Sequence, residues 1–114
     1  MNAGRVILIH AFSEDPEVIT APLRVARNAA QSLPDAIVEV VVQGIAVTGL
    51  TVGGRFEDDI AQAMTRGVRT VACGNSIERA GLDPAQLMAG IEVVPSAIVH
   101  LAEQQWAGAA YVRV

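Results

Sequence analysis

Cys73 is the chain's one cysteine. It closes the apolar run Val68-Arg69-Thr70-Val71-Ala72 immediately before the polar turn Gly74-Asn75-Ser76. A β-branched run of this kind reads as a buried strand, and Gly, Asn and Ser stop strands and open helices. A cysteine between a strand end and a helix start faces free amide N–H groups and the positive end of a helix. Both stabilise a thiolate and depress the thiol pKa, which makes Cys73 a candidate nucleophile. A second reading stands beside it: free cysteine is among the most buried residue types, and on an apolar strand it packs as a small inert hydrophobe.

The other residues that could take part in chemistry also fall where apolar runs stop. His10 ends the run Val6 to Ile9, Gln43 and Gly44 end a second run, and Pro95 and Ser96 end a third. A Cys73–His10 pair is open as a nucleophile and base, on condition that the two come within hydrogen-bond reach. Gly74 would allow close approach to Cys73, and the amides of Asn75 and Ser76 would stabilise its anion. His100 falls in the last helical pattern and reads as a surface or packing residue. One cysteine and two histidines at unrelated positions make no zinc framework. Glu57-Asp58-Asp59 opens a helix, where acidic side chains suit the positive dipole end, and reads as helix-start electrostatics. The sequence has no G-x-G-x-x-G after its first strand, no phosphate-binding G-x-x-x-x-G-K-[ST] and no G-x-S-x-G elbow, so nucleotide-fold and serine-hydrolase readings lack their signatures.

The elements that must hold these residues follow from periodicity. Arg5 to His10, Ala36 to Val42, Val68 to Ala72, Ile91 to Val94 and Ala109 to Val114 read as strands, and the first three are apolar throughout, as strands buried on both faces are. Between them, Leu23, Ala26, Ala30 and Leu33 mark a helix to about Ser32 that follows the Asp15-Pro16 cap. Phe56, Ile60 and Met64 mark a second. A short helix starts near Ser76, and Asp83-Pro84 to Gly90 brackets another between an Asp cap and a terminal Gly. Ile98, Leu101, Ala102, Gln105 and Trp106 mark the last helix, which Gly108 ends. Ile45 to Leu50 is a short helix or an apolar loop, and Thr51 to Gly54 is the most flexible-looking segment. Strands alternating with helices argue for a parallel sheet covered on both faces, with ligands bound at the carboxyl ends of the strands. His10, Phe12, Gln43, Gly44, Cys73, Gly74, Asn75, Pro95 and Ser96 then share one edge, although periodicity does not give strand order.

At 114 residues the chain is expected to be a single domain, 1–114. Hydrophobic residues make up 52% and charged residues 18%, so part of the surface is expected to be covered by other subunits. The net charge is −4 with only 8 Lys and Arg, scattered along the chain, which argues against nucleic acid as a partner. The opening apolar run is too short for a signal peptide, no run approaches the length that spans a bilayer, and one cysteine makes no internal disulfide. A soluble cytoplasmic protein is expected, with no membrane partner, cofactor or metal.

The stretch Ala72-Cys73-Gly74-Asn75-Ser76, followed by Gly81-Leu82, Val93-Val94-Pro95-Ser96, Leu101, Gln105 and Gly108 through Tyr111, resembles the DsrE/DsrF-like family in its small single-protein branch. Val40 to Gly44 and the opening strand fit as well; the segment after Gly44 fits least. The resemblance implies a YchN-like three-layer α/β/α fold with a mainly parallel five-stranded sheet, and assembly into homo-oligomeric trimers or hexamers. It also implies a sulfurtransferase-type relay in which Cys73 carries sulfur as a persulfide between a donor and an acceptor protein. The alternative class is a non-catalytic oligomeric module that binds a small ligand or partner, with a structural or redox-sensing cysteine.

Overall fold

The structure is a computed structural model and describes residues 5–114. Five strands make one sheet: β1 (Val6–Ser13), β2 (Ile37–Gly44), β3 (Arg69–Cys73), β4 (Glu92–Val94) and β5 (Ala110–Arg113). Their order is β4-β3-β2-β1-β5, and every neighbouring pair is parallel. The strands therefore build outward from β1 through the central β2 and β3 to the edge at β4, and β5 crosses to the far side of β1. Parallel strands end at one edge, so Ser13, Gly44, Cys73, Val94 and Arg113 share it.

Four helices connect the strands: α1 (Thr20–Ser32), α2 (Glu57–Thr65), α3 (Gly74–Arg79) and α4 (Ala97–Trp106). One sheet face buries Ile9, Val38, Val40, Val42 and Ala72 against Leu23 and Ala26 of α1, Ile60 and Ala63 of α2, and Ile77 of α3. A 3₁₀ segment, Ile45–Leu50, adds Ala46, Val47 and Leu50 to this side. The opposite face buries Leu8, Val41, Val71 and Cys73 against Ala97 and Leu101, both from α4. This is the expected three-layer arrangement, with its second outer layer supplied by one helix. Buried strands explain the unbroken apolar runs, because neither face of β2 or β3 has a wet side.

Two segments differ from expectation. Asp83 to Gly90 is not a helix; it makes one 3₁₀ turn, Pro84–Gln86, with a capping box between Asp83 and Gln86. The turn stops there because the next residues pair with the Ile45–Leu50 end. Gln86 O accepts from Val52 N–H at 2.8 Å, and Met88 N–H donates to Leu50 O at 3.0 Å. Leu87 is thereby buried, and the segment 51–54 is tied down on one side. β1 runs three residues past His10, because Ala11, Phe12 and Ser13 pair with Val42, Gln43 and Gly44.

Candidate functional site

Cys73 stands at the carboxyl end of β3 and is the N-cap of α3, with extended backbone angles of −76° and 116°. Strand alternation turns its side chain to the α4 face, where it is 3% exposed. The first residue of α4 meets it there: Ala97 N–H donates to Cys73 Sγ at 3.4 Å. The Ala97 amide is free for the sulfur because it precedes the part of the first turn that Ser96 caps, the Ser96 Oγ accepting from Val99 N–H at 3.4 Å. The start of α3 closes from the other side. Burial disfavours the Cys73 anion. The Ser76 hydroxyl and the amides of Ala97, Ser76 and Asn75 outweigh it, so the thiol lies below its ordinary value of 9.0. Among these donors Ala97 closes a full N–H···S bond, whereas the α3 amides lie near the sulfur without making a cap bond to it.

The residues singled out by sequence gather unevenly around this sulfur. Ser76 is buried, and its Oγ accepts from Gly44 N–H at 2.9 Å, which ties the start of α3 to the end of β2. Gly74 carries no side chain for a steric reason: a Cβ there would stand 3.0 Å from the Val94 carbonyl oxygen and 3.3 Å from that of Pro95. Asn75 N–H donates to the Pro95 oxygen at 3.1 Å, which joins the start of α3 to the β4–α4 turn. Gly44, with φ of 76°, brings β2's end against Ser13 and Phe12. Gln43 comes beside Cys73, since Val42 pairs with Ala72 and both chains advance by one residue.

His10 is not brought to the cysteine. It lies on β1, two strand spacings or about 10 Å from β3. Its ring nitrogens are taken by Tyr111 Oη at 2.6 Å on Nδ1 and Gln43 Oε1 at 2.8 Å on Nε2. Burial lowers its pKa, the Gln43 bond opposes that, and the nearby Arg113 charge lowers it further. Accepting from Tyr111 O–H and donating to Gln43, the neutral ring is satisfied on both sides and does not act as the base for Cys73. Gln43 is the link between the His10 cluster and the thiol's surroundings.

The sequence reading missed Glu39 and underrated His100. Glu39 sits in the middle of β2, 1% exposed, on the α4 face. His100 Nε2 hydrogen-bonds its Oε1, and Arg69 Nη1 lies 3.7 Å from its Oε2. A carboxylate inside an otherwise apolar run, Ala36 to Val42, was the available signal, because such a group is not buried unpaired.

A cleft of about 150 Å³ opens beside Ser76, lined by Glu14, Gly44, Ile45, Ser76, Arg79 and Ala80. A larger cavity of about 450 Å³ lies at the opposite edge, where β1, β2 and β5 begin, and does not reach Cys73. Among the described residues no three His, Cys, Asp or Glu side chains gather to hold a metal ion, and no helix is long and apolar enough to cross a membrane. The arrangement around Cys73 favours a thiolate on a nearly buried residue, and a thiolate is the form that attacks a sulfur electrophile.

The family model described as the DsrE/DsrF-like family matches residues 10–114. No curated protein matches the chain. Among solved structures, a protein of unknown function from Methanobacterium thermoautotrophicum, MTH1491, is 29% identical with a TM-score of 0.86, over 96% of this chain and 98% of that one. The ychN protein of E. coli is 17% identical with a TM-score of 0.82, over 96% and 99% of the two chains. A conserved protein of unknown function from Bacteroides thetaiotaomicron, BT1422, is 15% identical with a TM-score of 0.76, over 99% and 97%. The last two show the fold alone.

Proposed function

The chain belongs to the DsrE/DsrF-like family, and from that premise we propose that it is an intracellular sulfur-relay protein that carries a persulfide on Cys73. The observation that carries this reading is the Ala97 N–H on Cys73 Sγ, joined by the Ser76 hydroxyl and the α3 amides, in a thiol held below its ordinary value. The Cys73 thiolate attacks the outer sulfur of a donor persulfide, R–S–SH. A new S–S bond forms at Cys73 as the donor's S–S bond breaks, and the donor leaves as the thiolate R–S⁻. Sulfur oxidation state and charge balance without an added reductant. An acceptor thiolate then takes the same outer sulfur and restores Cys73. The donors that hold the first anion are equally placed for the regenerated one, so the site favours both directions of exchange.

The donor and acceptor are proteins or small thiols that must reach a cysteine 3% exposed, and a cleft opens beside its neighbour Ser76. The same burial is what favours the second reading, a non-catalytic ligand- or partner-binding module in which Cys73 is packing. Intact-mass spectrometry after exposure to a loaded persulfide donor separates them. The relay requires one reductant-labile sulfur on the native protein and none on Cys73→Ser. No gain on the native protein, with Cys73 shown to be reduced, leaves the binding module.

We propose in addition that the relay works as a homo-oligomer, a trimer or hexamer. Ile98 and Val99 on α4, Trp106 at its end, and Tyr111 and Val112 on β5 are exposed apolar side chains, and Trp106 is 83% exposed. Apolar surface of this kind marks subunit contacts. Light scattering of the native chain and of Trp106→Asp tests it: a larger native assembly that shrinks in the variant is the expected result, and a native monomer rejects it.

A further inference from the structure

We propose that Glu39 and His100 are positioning residues for Cys73: their pairing pins the first turn of α4 to the sheet and so holds the Ala97 amide on the sulfur. The inference rests on reading Cys73 as the working thiolate.

α4 is the one helix on its face of the sheet, and its first turn has two attachments there. Ala97 packs with Val41, Val71 and Cys73. Three residues later, about 4.5 Å along the axis, His100 reaches Glu39 on the central strand β2. The His100 backbone N–H closes the same turn on Ser96 O at 3.1 Å, so the helix cap and the side chain that bonds Glu39 belong to one rigid unit.

Packing alone specifies this position poorly. Ala97 is small, and Ile98 and Val99, the next two residues, turn away from the sheet and give α4 no hold on it, being 58% and 55% exposed within the subunit. Leu101 gives an apolar contact one residue beyond His100, but an apolar contact tolerates a slide of an ångström, whereas a hydrogen bond does not. Ala97 N–H is the donor that reaches Cys73 Sγ, at 3.4 Å, so an outward shift of the helix start would lose the bond. A carboxyl 1% exposed has a strong requirement for its partner, and His100, whose side chain is 13% exposed, is the partner that comes from the helix.

The remaining charged groups around the pair belong to the sheet and do not hold α4. Arg69 of β3 lies 3.7 Å from Glu39 Oε2, and its Nη2 donates to both Glu92 oxygens of β4 at 2.9 and 3.0 Å. Arg69 thus balances the Glu39 charge from the strand side, while His100 alone ties Glu39 to the helix.

The test is the pH midpoint of thiolate formation, followed by ultraviolet thiolate absorbance and by alkylation rate. With one cysteine in the chain the alkylation signal comes from Cys73, and the absorbance signal is isolated by subtracting the titration of Cys73→Ser, which carries the Tyr111 contribution. The variants are Glu39→Gln, His100→Gln and, as a control on the sheet side, Arg69→Gln. Loss of the anchor raises the midpoint in both pair variants, with alkylation at pH 7 slowed by about threefold to tenfold, which is a midpoint shift of about half a unit to one unit. Simple charge effects give opposite signs: removing the Glu39 carboxylate would lower the midpoint, and removing a His100 charge would raise it. Opposite signs, unmoved midpoints, or an Arg69→Gln shift equal to that of His100→Gln overturn the proposal.

Should Glu39→Gln not fold, amide hydrogen exchange in His100→Gln decides. Anchoring predicts faster exchange at Ala97 than in the native protein, and unchanged exchange rejects it. Sulfur uptake by the native protein tests the relay, whereas these midpoints test the anchor, so the two can fail separately.

Discussion

Ser76 Oγ accepts the Gly44 amide at 2.9 Å, and the same buried side chain lies on the side of Cys73 where it favours the anion, which makes this serine the joint between the end of β2 and the thiol at the end of β3. Among the groups that favour the Cys73 anion, Ser76 is the foremost.

Ser76→Ala is therefore expected to raise the thiolate midpoint by about half a unit to one unit and to slow alkylation at pH 7 by about threefold to tenfold. It also strands the Gly44 N–H, so a stability loss of about 1 kcal/mol accompanies it. A titration of thiolate absorbance measures the first effect, and urea unfolding the second. An unchanged midpoint would remove Ser76 from the site.

His10 gives the pH dependence of folding a definite sign. Its pKa in the folded protein is lowered from 6.5, by burial first and by Arg113 as well, against the Gln43 bond. The unfolded chain thus binds a proton more readily than the folded one just below that value. Stability from this group is complete above pH 6.5 and declines as pH falls from there toward the folded pKa. The expected unfolding free energy drops below pH 6.5 in the native protein, and that drop is smaller in His10→Gln. A native profile flat over this range would show that the ring titrates normally.

Gly44→Ala tests the backbone that supports the joint. Gly44 has φ of 76° and ψ of −160°, a region open essentially to glycine, and an added Cβ would stand 2.6 Å from Ser13 O and 2.9 Å from the Phe12 ring. Strain and overlap together are expected to cost at least about 2 kcal/mol in chemical unfolding. Movement of the 44 amide would also loosen Ser76, so the thiolate midpoint rises in the same variant. Wild-type stability in Gly44→Ala would mean that this strand end relaxes freely.

Three strand ends were legible because the apolar β-branched runs stop at residues that turn the chain: Gln43-Gly44, Cys73-Gly74 and Pro95-Ser96. His10 was not such an end, since pairing with β2 carries β1 on to Ser13. What periodicity does not carry is the lateral order β4-β3-β2-β1-β5, and that order separates His10 from Cys73 while setting Gln43 between them. The Ala97 amide was invisible for a different reason. A backbone donor has no residue type to mark it, and its position depends on where α4 crosses the sheet. Asp83 to Gly90 misled because its cap and Pro are real helix-start signals, but the backbone of Leu50 and Val52 offered pairing that ended the helix after one turn.

Thr70 offers a test of the same accounting on the opposite face. Its Oγ1 is buried in β3 without a hydrogen-bond partner, on the α1 and α2 side of the sheet, with Val40 and Val68 as neighbours in the strands. A hydroxyl stripped of water and left unpaired costs about 1 kcal/mol or more, and valine has the same shape with a better fit to a buried strand. Thr70→Val is expected to leave stability unchanged or raise it by about 1 kcal/mol, read as a higher midpoint in urea at constant slope. Because the side chain points away from Cys73, the thiolate midpoint should not move. Loss of stability in Thr70→Val would show that the hydroxyl is bonded in solution, and a shifted thiol midpoint would show that the two faces of β3 are coupled.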